Sequence, residues 1–204
     1  MLDNANARRS VARFIDPVAR FLLRLKITPD AITWFGCLAT VAVSAAFLAR
    51  GDFLIGAILY GAFSLIDLVD GTMARMLGST GSWGAFLDST LDRVSDSAVL
   101  CALIYYYVTS DGEHKVLIVS AAIVSLVMSL MTSYIRAKAE SLDAECKVGI
   151  AERAERNIVL WVALLISGIF FDVMLYALIL LALLTTITVI QRLLFVRNQL
   201  VLKP

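Results

Sequence analysis

The sequence predicts an all-α integral membrane fold, with six transmembrane helices and an N-terminal amphipathic helix lying in the membrane interface. Three observations predict it. Of the 204 residues, 60% are hydrophobic and 17% charged, against about half and about a quarter in an ordinary soluble domain. Long uncharged stretches recur along the chain, and the basic residues gather in alternate connections between them. Composition also removes other classes. A net charge of +1 gives no footprint for nucleic acid, which is not expected as a partner. Cys37, Cys101 and Cys146 are widely spaced and odd in number, so they make neither a disulfide framework nor a CxxC metal site. His114 is the one histidine, and a Ser-His-Asp triad or a His-rich zinc site lacks its parts. The chemistry has to run on carboxylates, Arg and Lys.

One domain is expected over residues 1–204, with the interfacial helix in 1–28 and the bundle in 31–195. Val11, Phe14, Ile15, Val18, Ala19, Phe21, Leu22 and Leu25 recur at helical spacing among arginines. Such a helix lies in the interface, as an anchor that frames the bundle or as a guide for a lipid substrate. No small-residue cleavage site follows an isolated apolar run in residues 1–30, so no cleavable signal peptide is expected. Thr28 can cap the next helix and Pro29 suits its first turn.

Crossing the hydrocarbon core takes about 20 mostly apolar residues. Residues 31–49, 116–135 and 173–191 fit directly. Residues 53–66, 97–110 and 157–171 are shorter, and the first two reach full length only by continuing through 67–75 and 88–96. Six spans place both termini on one side. All of the 18 Lys and Arg except Arg50 and Lys115 then face that side, which the positive-inside rule makes cytoplasmic. The expectation is a multi-pass protein of the cell membrane, surrounded by membrane lipids, with its active site facing the cytoplasm.

The unusual residues gather where the second and third spans meet, in Asp67-Leu-Val-Asp70-Gly71-Thr-Met-Ala74-Arg75 and then Gly84-Ala-Phe-Leu-Asp88-Ser-Thr-Leu-Asp92. Asp67 and Asp70 are three apart and share a helix face; Asp88 and Asp92, four apart, do the same. The connection 77–82 is short and rich in turn residues, which predicts antiparallel neighbours with both pairs at one depth. An Asp at mid-membrane costs about 2.5–3.5 kcal/mol, and four converging carboxylates also repel one another. Salt bridges to Arg75 and Arg93 are one way to offset them. Divalent ions are a better match, because hard oxygen ligands without His or Cys favour Mg²⁺ or Mn²⁺ over zinc. Four carboxylates can hold two such ions, an arrangement that clamps the oxygens of a phosphoryl displacement. Gly71 leaves room for a ligand at the backbone, and Arg75 can hold a phosphate by two hydrogen bonds.

Asp67-x2-Asp70-Gly71-x2-Ala74-Arg75-x8-Gly84-x3-Asp88-x3-Asp92 matches every fixed position of the CDP-alcohol phosphotransferase signature, and the six-span layout extends the resemblance to nearly the whole chain. The resemblance implies a homodimeric enzyme that displaces CMP from a CDP-linked lipid or alcohol with an acceptor hydroxyl, using two divalent ions, Mg²⁺ or alternatively Mn²⁺. It makes Asp67, Asp70 and Asp88 metal ligands. Asp92 lies by the second ion and takes the proton of the acceptor hydroxyl, and Gly71 and Arg75 contact the CDP moiety. The run Pro29-Asp30-Ala31-Ile32-Thr33 resembles the segment that contacts the CDP-lipid, although Asp30 is equally an acidic residue of a helix's first turn. Thr80 and Ser82 are candidates for phosphate or ribose contacts and equally turn formers.

Arg136, Lys138, Lys147, Arg153, Arg156 and Arg192 share the carboxylates' side of the membrane. Singly, each reads as ordinary positive-inside charge; as a group they favour an anionic acceptor. Ile150-Ala-Glu152-Arg153-Ala-Glu155-Arg156, with Ser133-Tyr134-Ile-Arg136-Ala-Lys138 before it, resembles the phosphatidylinositol phosphate synthases of actinobacteria, whose usual proline stands here as Ala154. That resemblance implies CDP-diacylglycerol and inositol phosphate as substrates, with Arg136, Lys138, Arg153, Arg156 and Arg192 on the acceptor phosphate. Two alternatives stand beside it. One is a phosphatidylglycerophosphate synthase using glycerol phosphate. The other, from a different class, is a divalent-cation transporter, disfavoured by one-sided carboxylates and nearby arginines. Asp96, one turn beyond Asp92, is expected to pair with Arg93 or a basic loop residue. Trp83 and the tyrosines at 105–107 suit interfacial belts, Cys37 and Cys101 read as small apolar fillers, and His114 as a solvated loop residue.

Overall fold

The computed structural model describes residues 5–78 and 81–202, without the side chains of residues 5–14, 67 and 202. Among the described residues all regular structure is helical: α1 (Ala5–Arg24), α2 (Pro29–Ala46), a 3₁₀ turn (Leu48–Arg50), α3 (Phe53–Ser64), α4 (Ile66–Leu77), α5 (Ser82–Thr109), α6 (Lys115–Glu140), α7 (Arg153–Ile169) and α8 (Met174–Leu202). Four stretches there are long and apolar enough to cross a membrane: Pro29–Arg50, Phe53–Leu77, Lys115–Glu140 and Met174–Val201. They coincide with the expected first, second, fourth and sixth spans. The other two differ for physical reasons. The first half of α5 carries Asp88, Asp92, Arg93 and Asp96, and α7 is 17 residues long.

Local signals act as the sequence suggests at several boundaries. Pro29 opens α2, and Ala31 N donates to Thr28 Oγ1 at 3.2 Å, so Thr28 is the cap. Gly78 ends α4 with φ 63°, its N–H donating to the carbonyls of Ala74 and Arg75. The second span is less regular than expected. Leu65 separates α3 from α4 with φ −74° and ψ −19°, and Leu68 N donates to Leu65 O at 3.2 Å. That i→i+3 bond tightens the turn that contains the first aspartate, Asp67.

The backbone divides into two compact units. The first runs through Val43 and takes up again over Leu59–Ser95. In it α1 lies on α4: Ala19, Val69 and Met73 are buried, with Ile15, Leu22, Leu23 and Ile32 packed around them. Ile15, Ala19, Leu22 and Leu23 form one helical stripe, while Val18 and Phe21 stay exposed. Val11 and Phe14 belong to the same expected pattern, and their side chains lie outside the described ones. Cys37, Leu87 and Leu91 pack α2 against α5, beside Val41.

The second unit comprises Ser44–Ile58 and the chain from Asp96 onward. Its axis is α8, which packs along α6 and against α7. The buried face of α6 is mostly small: Ala121, Ala122, Ser125, Ser129, Thr132 and Ala139. Small residues let two helices approach where no hydrophobic force drives them together, and Ser125 Oγ reaches Leu178 O at 3.3 Å. At the other end Tyr107 is buried and donates to Asp172 Oδ2 at 2.6 Å, so it is a packing residue and not part of a belt. Cys101 is exposed and fills no gap, whereas Cys37 is buried as expected. His114 is exposed in its loop.

Gly168 marks a close crossing of α7 and α3. A Cβ there would lie 2.4 Å from Leu54 N and 2.7 Å from its Cα, and backbone cannot move aside as a flexible side chain can. Gly168→Ala is expected to destabilise by about 1–3 kcal/mol through overpacking. Thermal unfolding in detergent checks this, with Gly112→Ala, which meets nothing within 4 Å, melting like the native protein.

Candidate active site

Asp67 and Asp70 stand on α4, and Asp88 and Asp92 on α5. Each pair sits within one uninterrupted helix, so spacings of three and four do place each pair on a shared face. Asp70 is 5% exposed. Its Oδ2 accepts from Thr33 Oγ1 at 2.6 Å and its Oδ1 from Gly71 N at 2.5 Å. Thr33 Oγ1 also lies 3.1 Å from Pro29 O, but the contact to the carboxylate is the shorter, as charge assistance requires. Asp92 is half-buried and Asp88 exposed.

The first two turns of α2 touch both acid-bearing helices. Thr33 meets Asp70 on α4, and Asp30 Oδ2 accepts from Trp83 Nε1 on α5 at 2.9 Å. Ala31 is exposed between them, and Ile32 packs beside Ala19, Val69 and Met73. Trp83 thus ties down the start of α5. Its place immediately before Gly84 was the one signal in the sequence that could have shown this.

Arg75 is exposed and donates through Nη2 to Thr72 Oγ1 at 2.8 Å, while Thr72 donates to Leu68 O at 2.8 Å. A Cβ on Gly71 would sit 3.6 Å from Arg75 Nη1, and one on Gly84 would meet nothing within 4 Å. Among the described residues, none therefore crowds the space that either glycine leaves. Arg93 donates to Ser89 O on its own helix. Thr80 lies outside the described residues, as does the side chain of Asp67.

Among the described residues no three His, Cys, Asp or Glu are grouped closely enough to hold a metal ion. The donor chemistry nevertheless fits a hard divalent cation. Every candidate ligand is a carboxylate oxygen, and Asp70 is already buried and oriented by two hydrogen bonds.

The second unit holds the basic residues. Arg153 and Arg156 occupy the first turn of α7, where unpaired backbone N–H groups add positive potential. Asp96 pairs with both, at 3.5 Å to Arg153 Nε and 3.9 Å to Arg156 Nη2, and accepts from Asn157 Nδ2 at 3.4 Å. Of the two expected kinds of partner, Arg93 bonds its own helix instead, and the basic residues after α6 that pair with Asp96 stand on α7 and not in the loop. Arg156 is buried; its Nη1 donates to Ala151 O at 3.2 Å and lies 3.5 Å from Thr132 Oγ1. Arg192, also buried, donates from Nε to Val148 O at 2.9 Å and from Nη1 to Thr132 O at 2.6 Å. Two guanidinium groups thus meet on one residue of α6. Arg136 instead forms an exposed pair with Glu140 at 2.9 Å, and Lys138 is exposed at the end of α6. Sequence reasoning passed over Thr132, whose one signal was a hydroxyl inside an uncharged span. Burial pushes the Cys146 thiol up from its ordinary value against the pull of Arg192 and Arg136, so this loop cysteine stays a protonated packing residue.

Residues 26–190 match the CDP-alcohol phosphatidyltransferase family. The phosphatidylinositol phosphate synthase of Cutibacterium acnes is 42% identical over 162 residues, covering 79% of this chain and 77% of its own length. The archaetidylinositol phosphate synthase of Methanothermobacter thermautotrophicus is 41% identical over 197 residues, covering 95% of this chain and 93% of its own. The crystal structure of Mycobacterium tuberculosis phosphatidylinositol phosphate synthase with CDP-DAG bound superposes with a TM-score of 0.86 at 36% identity, over 91% of this chain and 94% of that one. The same enzyme in complex with manganese and citrate gives 0.85 at 36% identity, over 90% and 89%. These likenesses and the four long apolar helices make the protein a multi-pass membrane transferase. With the full signature carried on α4 and α5 inside the matched residues, the chain belongs to the CDP-alcohol phosphatidyltransferase family.

Proposed function

We propose that the protein transfers the phosphatidyl group of CDP-diacylglycerol to an inositol phosphate, releasing CMP and forming phosphatidylinositol phosphate. The observation that carries the acceptor assignment is the grouping of Arg153 and Arg156 with Arg192 around Asp96, Thr132 and the loop before α7. Guanidinium groups held in fixed geometry suit a phosphate-bearing acceptor far better than a neutral or cationic alcohol. The bacterial and archaeal relatives differ in the lipid part of their names and share inositol phosphate, and the CDP-DAG bound to the Mycobacterium tuberculosis enzyme supports the donor.

In this reading Asp67, Asp70, Asp88 and Asp92 hold two divalent ions, Mg²⁺ or Mn²⁺, which when bound neutralise the pyrophosphate and stabilise the leaving CMP. Thr33 keeps Asp70 aimed. Arg75, beside the open face of Gly71, holds a phosphate of the donor, and the segment from Asp30 to Thr33, with Thr80, contacts the CDP-lipid. A hydroxyl is a poor nucleophile at neutral pH, so Asp92 takes its proton as the oxygen attacks the diacylglycerol-linked phosphorus. The new P–O bond forms as the bond to CMP breaks, without a covalent enzyme intermediate. Arg153, Arg156 and Arg192 hold the acceptor phosphate, and the exposed Arg136 and Lys138 add charge at the end of α6.

The topology follows the same reading. α5 and α7 serve as the third and fifth of six spans. α1 lies in the interface with Val18 and Phe21 toward lipid. The charge bias turns the carboxylates to the cytoplasmic side of the cell membrane, and the protein works as a homodimer of single-domain chains.

CMP release from the purified protein with CDP-diacylglycerol and Mg²⁺ is expected to be fastest with inositol phosphate, ahead of free inositol and glycerol phosphate. Asp92→Asn should lower it at least about 100-fold, the range of a lost general base. Faster turnover of glycerol phosphate overturns the acceptor assignment, and an Asp92→Asn protein of native activity overturns the mechanism.

The glycines give a sharper contrast. Among the described residues nothing crowds a methyl at Gly71 or Gly84, and alanine favours a helix over glycine by roughly 0.5–1 kcal/mol. Gly71→Ala and Gly84→Ala should therefore melt at or above the native temperature while losing most CMP release. Native activity in both would show that the donor does not approach the backbone there.

A further inference from the structure

Both buried arginines of the acceptor group bond, besides Thr132 and Asp96, to one short loop segment. Arg192 Nε bonds Val148 O at 2.9 Å, and Arg156 Nη1 bonds Ala151 O at 3.2 Å. A loop has no ladder of its own to fix those carbonyls, so something must hold it. Its anchors are side chains of α8. Ala151 N donates to Thr188 Oγ1 at 3.1 Å, and Ile150 N donates to Gln191 Oε1 at 3.2 Å. The fit is close: Gly149 has φ +140°, and a Cβ on it would fall 2.6 Å from Thr188 Cγ2. Further out, Glu145 and Gln199 exchange two bonds, at 3.0 and 2.7 Å.

Thr188 is fully buried and its hydroxyl works in both directions. It donates to Leu184 O at 2.9 Å and accepts from Ala151 N. A threonine that merely satisfied its own helix would need only the first bond. The second ties α8 to the residue whose carbonyl holds Arg156, one turn before Arg192 on the same helix.

We infer that Thr188 and Gln191 are positioning residues that set the acceptor-phosphate arginines by holding residues 148–151. This rests on the proposed reading that Arg156 and Arg192 take the acceptor phosphate. Valine matches threonine in shape but leaves the buried Ala151 N–H without its acceptor, so the loop shifts and both carbonyls shift with it. None of these bonds involves a residue assigned to the donor.

The experiment is steady-state CMP release by the purified full-length protein, varying inositol phosphate and CDP-diacylglycerol separately. Thr188→Val is expected to raise the KM for inositol phosphate about tenfold, the effect of a bond of ordinary strength, with the KM for CDP-diacylglycerol within about twofold of native. Gln191→Leu should act in the same direction and less strongly, reading the link from the solvent side should Thr188→Val fail to fold. Thr188→Ser, which keeps the hydroxyl, should restore the native value. Arg192→Gln separates the two ideas. If it leaves the inositol phosphate KM unchanged, the acceptor reading itself falls. If it raises that KM while Thr188→Val and Gln191→Leu do not, the positioning role falls alone. Equal rises in both KM values, or no rescue by serine, also overturn the positioning role.

Discussion

A charge buried among apolar helices is costly unless hydrogen bonds replace the water it loses, and each unit of this protein is arranged around that cost. Among the described side chains of the first unit the buried charge is Asp70, met by a hydroxyl from α2 and by the N–H of Gly71. In the second the buried charges are Arg156 and Arg192, met by backbone carbonyls and by Asp96. Those bonds also fix where the charged atoms stand. Removing one partner therefore costs twice, once in stability and once in the direction of the charged group.

The same accounting explains what is left open. Asp88 and Arg75 are exposed, and no described residue crowds the spaces beside Gly71 and Gly84. Glycine in a helix is unfavourable to stability, so two unneeded glycines on acid-bearing helices are best understood as room for something else. Packing elsewhere shows the contrast. At Gly168 the absent side chain is required by Leu54 of a neighbouring helix, and there the glycine serves the fold.

The helices and the aspartates were legible in the sequence because both follow local rules. Apolar length marks a span, and spacings of three and four put Asp67 with Asp70 and Asp88 with Asp92 whatever surrounds them. Thr28 and Pro29 mark the start of α2 for equally local reasons. The break at Leu65 was not legible, since no Gly or Pro announces it. Nor was the burial of Tyr107, because an aromatic near a helix end reads the same whether it faces lipid headgroups or an Asp172 partner. Long-range pairs were the blind spot: Thr33 with Asp70 is 37 residues apart and Arg192 with Thr132 is 60. The basic residues were recognised as a group, but charge alone could not separate the buried Arg156 and Arg192 from the solvated Arg136 and Lys138.

That separation bears on where specificity resides. A pocket built to hydrogen-bond a polar group can reject an analogue lacking it by about 10⁴–10⁵, whereas a methylene in apolar surroundings is worth only about 10–200-fold. An exposed apolar surface such as that of Val18 and Phe21 can make few distinctions among apolar tails. Fixed guanidinium groups can make many. The bacterial and archaeal relatives accord with this, since the lipid changes in their names and inositol phosphate does not. On the proposed reading, selectivity therefore depends less on any contact with lipid than on how rigidly α8 and the 148–151 segment hold Arg156 and Arg192.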